Sequence, residues 1–308
     1  MSEIPDVALC LAIDIGGSKL AVGLVTPAGK ILWRDQVRTP RATDPEALFR
    51  VVADLVAVAF EDARRYEIGA VVACGIGAGG PMTRGGESIS PLNIPAWRGF
   101  PLRARLTAVE GLATIPMALD NDAKALALGE GWCGAARGEQ DFVAMVVSTG
   151  VGGGIVLDGR LLDGRQGNAG HIGHVIVEPG GRVCPCGARG CLEAEASGTA
   201  IEAMTGSPAA DAPPEIIERT GELVGRAIAS VANLLDLRLA LVAGSVALGF
   251  GTAFFLAAQR EIDRSARLEH SVGTRIFPAG LGADGPLVGA AALGWQASGM
   301  AVLAGGAR

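Results

Sequence analysis

Two glycine turns constrain the fold of this chain most strongly, because each one joins two apolar runs with the composition of β-strands. The first lies in "AIDIGGSK", residues 12–19, and the second in "VVSTGVGGGIV", residues 146–156. Strand runs separated by glycine-rich turns are typical of hairpins. The same order of strand, turn and strand in both halves predicts a duplicated α/β architecture, with two domains and a cleft between them.

The segments around the turns extend this pattern. Residues 10–39 contain three strand runs, and a helix is predicted after them, capped by Thr43 or Asp44, with apolar residues at helical spacing. In the second half, helices over about 215–235 and 252–266 enclose the strand run "LALVAG". The chain therefore alternates strands and helices in both halves, as an α/β protein does.

The domain boundary is expected near the start of the second half. We assign residues 1–121 to an N-terminal domain, which the C-terminal helix, about 288–304, would complete. Residues 122–287 would then form a larger second domain.

Composition limits the partners of the chain. It has 308 residues, of which 49% are hydrophobic and 19% charged, with a net charge of −6. An acidic surface is unsuited to nucleic acid or anionic membranes, so a small polar ligand is favoured. The opening "MSEIPDVALC" has two acids before any apolar run, unlike a secretory signal, and predicts a cytoplasmic protein. Glycines interrupt the apolar stretch 239–259, which favours a strand, a turn and a helix start over a membrane span.

The glycine turns have the composition of phosphate-binding loops. Their backbone N–H groups can approach an anion closely, and Ser18 and Thr149 add hydroxyl groups. Asp14, at the end of the first strand, would hold hydrated Mg²⁺ or orient the phosphate. One Gly-Gly turn is weak evidence, because many hairpins contain one. Two turns in matching places predict a nucleotide held by both halves.

Six cysteines divide into two groups. Cys10, Cys74 and Cys133 are isolated among apolar residues and are interpreted as small buried side chains. The other three lie close together, ten residues after a histidine, in a segment rich in glycine and proline. This group comprises His174, Cys184, Cys186 and Cys191. Four such ligands complete a tetrahedral structural zinc site, and the alternative is a redox or incidental cluster.

Asp122 precedes the helix-forming run "AKALALGE". A carboxylate at a helix N-terminus is stabilised in its ionised form. Without its flanking residues, Asp122 would be interpreted as an ordinary helix cap.

These motifs resemble the ROK family of sugar kinases and repressors, which has an actin-like, ribonuclease-H-like fold. The resemblance covers nearly the whole chain. It rests on "AIDIGGSK", "NIPAW" at 93–97, "NDA" at 121–123, "STGVGGGIV" and "GHVIVEPGGRVCPCGARGCLEAEASG". It implies transfer of phosphate from ATP, with Mg²⁺, to a hexose hydroxyl, normally that on carbon 6, and it implies a homodimer.

The resemblance also implies roles for individual residues. Asp122 would be the general base, and His174 would bind zinc while facing the sugar. The other sugar ligands would be Gly80, Asn93, Asn121, His171 and Glu193. The nucleotide phosphates would be bound by Asp14, Gly16, Gly17, Ser18, Lys19, Thr149, Gly150, Gly152, Gly244 and Ser245. Ser18 replaces the usual threonine, Lys124 replaces a frequent asparagine, and "AGSVAL" at 243–248 departs from the family's "GGGV".

The histidine at position 171 bears on the choice of sugar. Glucokinase-like members have glutamate there, and this chain has His171-Ile172-Gly173-His174. An imidazole can donate as well as accept a hydrogen bond, which suits an acetamido group on carbon 2. The "AGHIGH" form is similar to that of members that phosphorylate N-acetylmannosamine in sialic acid breakdown. The alternatives are a glucose or N-acetylglucosamine kinase, with His171 only supporting other residues.

Two other classes of function remain alternatives. A sugar-responsive regulator would need a DNA-binding module, and only thirteen residues precede Asp14. A zinc hydrolase would need an open coordination position, which three cysteines and a histidine do not leave.

Overall fold

The computed structural model describes residues 7–41 and 43–303. The strands over these residues are β1 Ala8–Ile15, β2 Lys19–Val25, β3 Ile31–Arg38, β4 Ala70–Ala78, β5 Met117–Asn121, β6 Phe142–Val147, β7 Val151–Leu157, β8 Arg160–Leu161, β9 Leu239–Ala243 and β10 Arg275–Pro278. The α-helices are α1 Pro45–Arg65, α2 Leu102–Thr107, α3 Asp122–Cys133, α4 Leu192–Ala196, α5 Gly198–Thr205, α6 Pro214–Leu235, α7 Ser245–Ser265 and α8 Gly285–Ala297.

The chain divides into two compact units. Unit 1 takes the chain up to Gly138, Asp163–Ala169 and the chain from Leu281 onward. Unit 2 takes Glu139–Leu162 and Gly170–Gly280. Each unit has its own buried apolar core.

The two sheets have the same topology. In unit 1 the strand order is β3-β2-β1-β4-β5, and in unit 2 it is β8-β7-β6-β9-β10. In each sheet three strands form an antiparallel meander, and two further strands extend it in parallel from the first strand of that meander. The predicted duplicated α/β fold is confirmed at the level of strand order and direction.

Helix α1 begins as predicted. The side chain of Asp44 accepts a hydrogen bond from the Glu46 N–H, and Pro45 occupies the first turn, where its missing N–H is not needed. The side chains at helical spacing are buried, among them Leu48, Val52 and Leu55.

Helix α3 packs in unit 1, which differs from the boundary expected at residue 121. A Cβ on Gly289 of α8 would lie 2.5 Å from the carbonyl oxygen of Ala125, so the backbones of α3 and α8 touch. On its other side, α8 lies against β4, where a Cβ on Gly75 would overlap the carbonyl oxygen of Ala290. Residues 122–138 are therefore part of the first compact unit.

Two helices differ in length from the prediction. Helix α8 ends at Ala297, because Ser298 and Gly299 close the last turn, and residues beyond 303 lie outside the described part. Helix α7 begins at Ser245, before the expected start near 252, and Gly251 interrupts it with non-helical φ and ψ of 59° and −142°.

Within residues 7–41 and 43–303, no helix combines the length and apolar character needed to cross a bilayer.

Candidate active site

Acidic and amide side chains collect at one edge of the unit 1 sheet. Asp14 lies opposite Gly77 of β4, and Gly77 lies opposite Asp120 of β5. Because β1, β4 and β5 run parallel, their carboxyl ends share this edge. Asn121 ends β5 and Asp122 begins α3, so the predicted base and one predicted sugar ligand lie at the same edge as Asp14.

Asp14 and Asp122 interact electrostatically. Burial, and to a smaller extent the nearby charge of Asp122, raise the pKa of Asp14 to about 7, although the charge of Lys19 opposes both effects. Burial also raises the pKa of Asp122, and the N–H groups of Ala123 and of Asp122 itself offset this only in part. The helix N-terminus therefore lowers the pKa of Asp122 as expected, but burial outweighs it.

Asn121 forms the helix cap that sequence alone would have given to Asp122. Its Oδ1 accepts hydrogen bonds from Ala123 N–H at 3.0 Å and Lys124 N–H at 3.4 Å. The carboxylate of Asp122 accepts from Ala123 N–H at 2.8 Å. The first turn of α3 thus fixes both side chains through backbone donors.

Asn93 packs against two glycines of the same edge. A Cβ on Gly17 would lie 2.8 Å from the side chain of Asn93, and a Cβ on Gly79 would lie 3.2 Å from its Oδ1. At position 17 only glycine leaves room for Asn93, since real Cβ atoms essentially never approach within 3.0 Å. The structure thus brings Asn93, a predicted sugar ligand, against the first glycine turn. Gly80 follows β4, and its carbonyl oxygen accepts from Leu92 N–H at 3.3 Å.

The first glycine turn is a tight β1–β2 hairpin. Gly16 N–H donates to the carbonyl oxygen of Lys19 at 3.0 Å, and the hydroxyl of Thr39 donates to the carbonyl oxygen of Gly16 at 2.7 Å. Ser18 and Lys19 are exposed at the tip. A hydroxyl and an ammonium are therefore accessible beside Asp14.

The second glycine turn joins β6 to β7 in unit 2 and contacts two helix starts. The carbonyl oxygen of Thr149 accepts from the N–H of Thr199 at 3.3 Å and from its hydroxyl at 3.0 Å. The hydroxyls of Ser148 and Ser245 are 2.9 Å apart. Gly244 has a φ of 101°, and a Cβ there would overlap the carbonyl oxygen of Val147.

These contacts bring the predicted phosphate ligands Thr149, Gly150, Gly244 and Ser245 together. Gly152 lies within β7, opposite Val146.

Glu193 reaches the same turn. Its Oε2 accepts a hydrogen bond from Val151 N–H at 3.0 Å, and a Cβ on Gly150 would lie 2.9 Å from that oxygen. The predicted sugar ligand is thus in direct contact with the predicted phosphate turn. Sequence reasoning did not foresee this contact, because 42 residues separate the two partners.

The predicted metal ligands form one cluster, which we call the Cys3His cluster: His174, Cys184, Cys186 and Cys191. One donor atom from each lies within 4.8 Å of all the others. Nδ1 of His174 is 3.7 Å from the sulfur of Cys184, and the sulfurs of Cys186 and Cys191 are 3.7 Å apart. Zinc bonds of about 2.3 Å in a tetrahedron separate two sulfurs by roughly 3.8 Å, so the donor set fits zinc.

Glu195 stabilises the loop that contains the Cys3His cluster. Sequence reasoning did not identify this residue. Its carboxylate is buried and accepts from the Arg182 backbone N–H at 2.6 Å, the Arg182 guanidinium at 2.8 Å and the Arg219 guanidinium at 2.7 Å. Burial opposes ionisation of Glu195, but these donors outweigh it and lower its pKa. Because Arg182 precedes Cys184 and Arg219 lies in α6, the carboxylate fixes the loop to a long helix.

His171 lies beside the Cys3His cluster. The centroids of the His171 and His174 rings are 6.0 Å apart, and the ring planes are inclined by 39°. His174 directs Nδ1 to the cluster, and His171 is half-buried at the start of the short helical turn Ile172–His174.

Two α/β units of equal strand topology, each with a glycine turn after its first strand, define a duplicated α/β fold. Comparison with known proteins is more specific. The ROK family model matches residues 10–297. The chain belongs to the ROK family.

Individual relatives agree with this. The chain is 37% identical over 257 residues to the N-acetylmannosamine kinase of Pasteurella multocida, which covers 79% of this chain and 83% of that protein. A ROK family glucokinase from Streptomyces griseus, solved with glucose and AMPPNP, superposes with a TM-score of 0.78 at 30% identity, over 94% of this chain and 99% of that one. The ROK hexokinase of Thermus thermophilus gives a TM-score of 0.78 at 32% identity, over the same shares of the two chains.

Proposed function

We propose that this chain is an ATP-dependent kinase that transfers phosphate to the 6-hydroxyl of N-acetylmannosamine, a step in sialic acid breakdown. Family membership and the named relatives support kinase activity. The observation that carries the choice of sugar is His171 beside the Cys3His cluster, at a position where glucokinase-like members have glutamate.

The chemistry assigned to unit 1 is proton transfer. Asp122 accepts the proton of the sugar 6-hydroxyl as that oxygen attacks the γ-phosphorus, and the bond to the β-phosphate oxygen breaks to release ADP. The raised pKa of Asp122 suits this role, because a stronger base accepts a proton more readily near neutral pH. Asn93 and Asn121 orient the sugar from the edge that carries Asp122.

The nucleotide is assigned to the two glycine turns. In unit 1 the proposed ligands are Asp14 and the turn residues Gly16, Gly17, Ser18 and Lys19. In unit 2 they are Thr149, Gly150, Gly152, Gly244 and Ser245. Mg²⁺, which Asp14 would hold through water, would neutralise charge on the phosphates. Lys19 adds a positive charge beside Asp14, as a phosphate site requires.

The Cys3His cluster is assigned a structural zinc. Four protein ligands leave no open position, so the metal would order the loop and take no part in the reaction. His174 would bind zinc through Nδ1 and present its other ring nitrogen to the sugar. Glu193, two residues after Cys191, would bind sugar hydroxyls from a position fixed by the loop.

The assembly and the compartment are further proposals. A homodimer is implied by the resemblance, and light scattering of the purified protein would measure it. The cytoplasm is proposed because ATP is available there and because the cysteines of the described residues are all unpaired.

A phosphorylation screen tests the function. ADP release would be measured with ATP and Mg²⁺ against N-acetylmannosamine, N-acetylglucosamine, glucose, mannose, fructose and allose. We expect the highest kcat/KM with N-acetylmannosamine. Preference for glucose or N-acetylglucosamine would refute N-acetylmannosamine as the substrate but would still support kinase activity. No sugar-dependent ADP release would refute the kinase.

A further inference from the structure

Lys124 is a fully buried ammonium with three acceptors. Its Nζ lies 2.7 Å from Asp120 Oδ2, 2.7 Å from Asp163 Oδ1 and 3.0 Å from the carbonyl oxygen of Gly167. An ammonium has three N–H donors, so each of them has a partner. The site described above does not use this side chain.

One side of this arrangement is the junction of β5 and α3. Asp120 precedes Asp122 by two residues, and Lys124 follows it by two. Asp120 also accepts from Asn121 N–H at 2.7 Å. The ion pair of Lys124 and Asp120 therefore spans the stretch of chain that contains Asn121, the proposed sugar ligand, and Asp122, the proposed base.

The other side is the segment 163–169. It belongs to unit 1, although the residues before and after it belong to unit 2. The side-chain amide of Asn168 accepts a hydrogen bond from Met82 N–H at 3.3 Å and donates one to the carbonyl oxygen of Met82 at 3.0 Å. The Arg84 guanidinium donates to the carbonyl oxygen of Gly164 at 3.3 Å. Gly170 alone separates this segment from His171.

Stability does not explain a charge in this position. Burying an ammonium costs free energy that pairing seldom more than repays, and an apolar side chain of the same length often serves stability as well or better. The ion pair instead fixes the relative position of the segments it joins, because Lys124 Nζ contacts Asp120, Asp163 and Gly167 at the same time.

We propose that Lys124 is a positioning residue of the sugar site, an inference that rests on the proposed function. It fastens the 163–169 segment to the strand end that presents Asn121 and Asp122. The segment in turn fixes the point from which the His171 loop starts. Loss of Lys124 therefore weakens sugar binding more than it slows the chemical step.

The first test is Lys124→Met, with Lys30→Met as the matched control, because Lys30 is exposed on the β2–β3 turn. We expect KM for the sugar to rise at least roughly fivefold in Lys124→Met, with KM for ATP and kcat within about twofold of the wild type. Lys30→Met should match the wild type. An unchanged sugar KM, or a fall in kcat alone, would overturn the proposal.

Asp163→Asn probes the same link from its exposed end and should fold normally, since 60% of the Asp163 side chain is exposed. We expect a smaller rise in sugar KM, and the double variant Lys124→Met/Asp163→Asn should equal Lys124→Met within about twofold. Independent, multiplying effects would show that the residues do not act through one link.

Hydrogen exchange supplies a readout without sugar. Ala169 N–H donates to the carbonyl oxygen of Asp163 at 3.0 Å, and its exchange should quicken at least roughly fivefold in Lys124→Met. An unchanged exchange rate of Ala169 N–H would show that Lys124 does not hold the segment 163–169 in place. If the wild type phosphorylated no sugar, the proposed function would fail, whereas this exchange result would stand by itself.

Discussion

The carboxylate of Glu193 and the backbone N–H of Val151 form a hydrogen bond of 3.0 Å that joins the Cys3His loop to the second glycine turn. A Cβ on Gly150 would lie 2.9 Å from this carboxylate oxygen, so a side chain there would displace Glu193. A carboxylate assigned to the sugar thus also fixes the backbone assigned to the phosphates. We therefore expect the binding of the sugar and the binding of ATP to influence one another through this contact.

Glu193→Ala should therefore raise KM for the sugar by roughly tenfold or more and KM for ATP by roughly threefold, because both a sugar ligand and a turn contact are lost. Steady-state kinetics with each substrate varied would measure this. Glu202→Ala, an exposed acid on α5, is the control and should change neither value. A rise in the sugar KM alone would show that Glu193 does not hold the turn.

The Cys3His cluster predicts about one zinc per chain by elemental analysis. Cys184→Ala should lose the metal, lower the free energy of unfolding by about 2 kcal/mol or more, and raise the sugar KM, because the loop that carries Glu193 loses its anchor. Cys133→Ala removes a half-buried cysteine outside the cluster and should keep the zinc. Active wild-type protein without zinc would refute the assignment.

Asp122→Asn keeps the shape of the side chain but cannot accept the hydroxyl proton. We expect kcat to fall roughly 100-fold to 10,000-fold, about 3 to 5 kcal/mol of barrier, with sugar binding less affected. Asp158→Asn is the control, because Asp158 is exposed in the β7–β8 turn with a φ of 50°, which asparagine tolerates. A fall of less than about fivefold in Asp122→Asn would reject Asp122 as the base.

Asp14 predicts a pH dependence of stability. Its pKa is raised from 3.8 to about 7, so between these values the folded protein binds a proton that the unfolded chain has released. The free energy of unfolding should therefore fall as pH rises, by roughly 2 to 3 kcal/mol between pH 5 and pH 8. Urea denaturation without Mg²⁺ or nucleotide would measure it. Asp14→Asn should lack this component, and an identical slope in that variant would contradict the assignment.

Much of the site could be predicted from sequence because it depends on short-range patterns. The turn at Gly16 and Gly17 and the turn at Thr149 and Gly150 are signalled by local glycine spacing. The four residues of the Cys3His cluster lie within eighteen residues of one another. The antiparallel pairs β1–β2 and β6–β7 follow from the repeated strand, turn and strand pattern.

The remaining features depend on contacts that no local pattern encodes. Lys124 and Asp163 are 39 residues apart, and Glu195 and Arg219 are 24 apart. A lysine is ordinarily interpreted as solvated, and only the fold shows that Lys124 is buried. The boundary at residue 121 differs for the same reason, because the backbone contact between α3 and α8 joins distant parts of the sequence.

In the proposed function, the choice of sugar rests on His171. It is half-buried, its ring centroid lies 6.0 Å from that of His174, and it begins the short helical turn that contains His174. A glutamate there accepts hydrogen bonds only, which suits free hydroxyls on a hexose. An imidazole can also donate to a carbonyl and has no fixed negative charge, which suits an acetamido group.

His171→Glu should therefore move the ratio of kcat/KM for glucose to that for N-acetylmannosamine toward glucose by at least roughly tenfold, about 1.4 kcal/mol, because a single polar contact can discriminate by that much. His171→Gln keeps a donor and an acceptor without charge, so it should retain the preference for the acetamido sugar. Both variants would be compared with the wild type on the two sugars at saturating ATP. An unchanged ratio in His171→Glu, or an equal shift in both variants, would show that the charge at position 171 does not select the sugar, whereas the assignments of Asp122 and of the glycine turns rest on other residues and would stand.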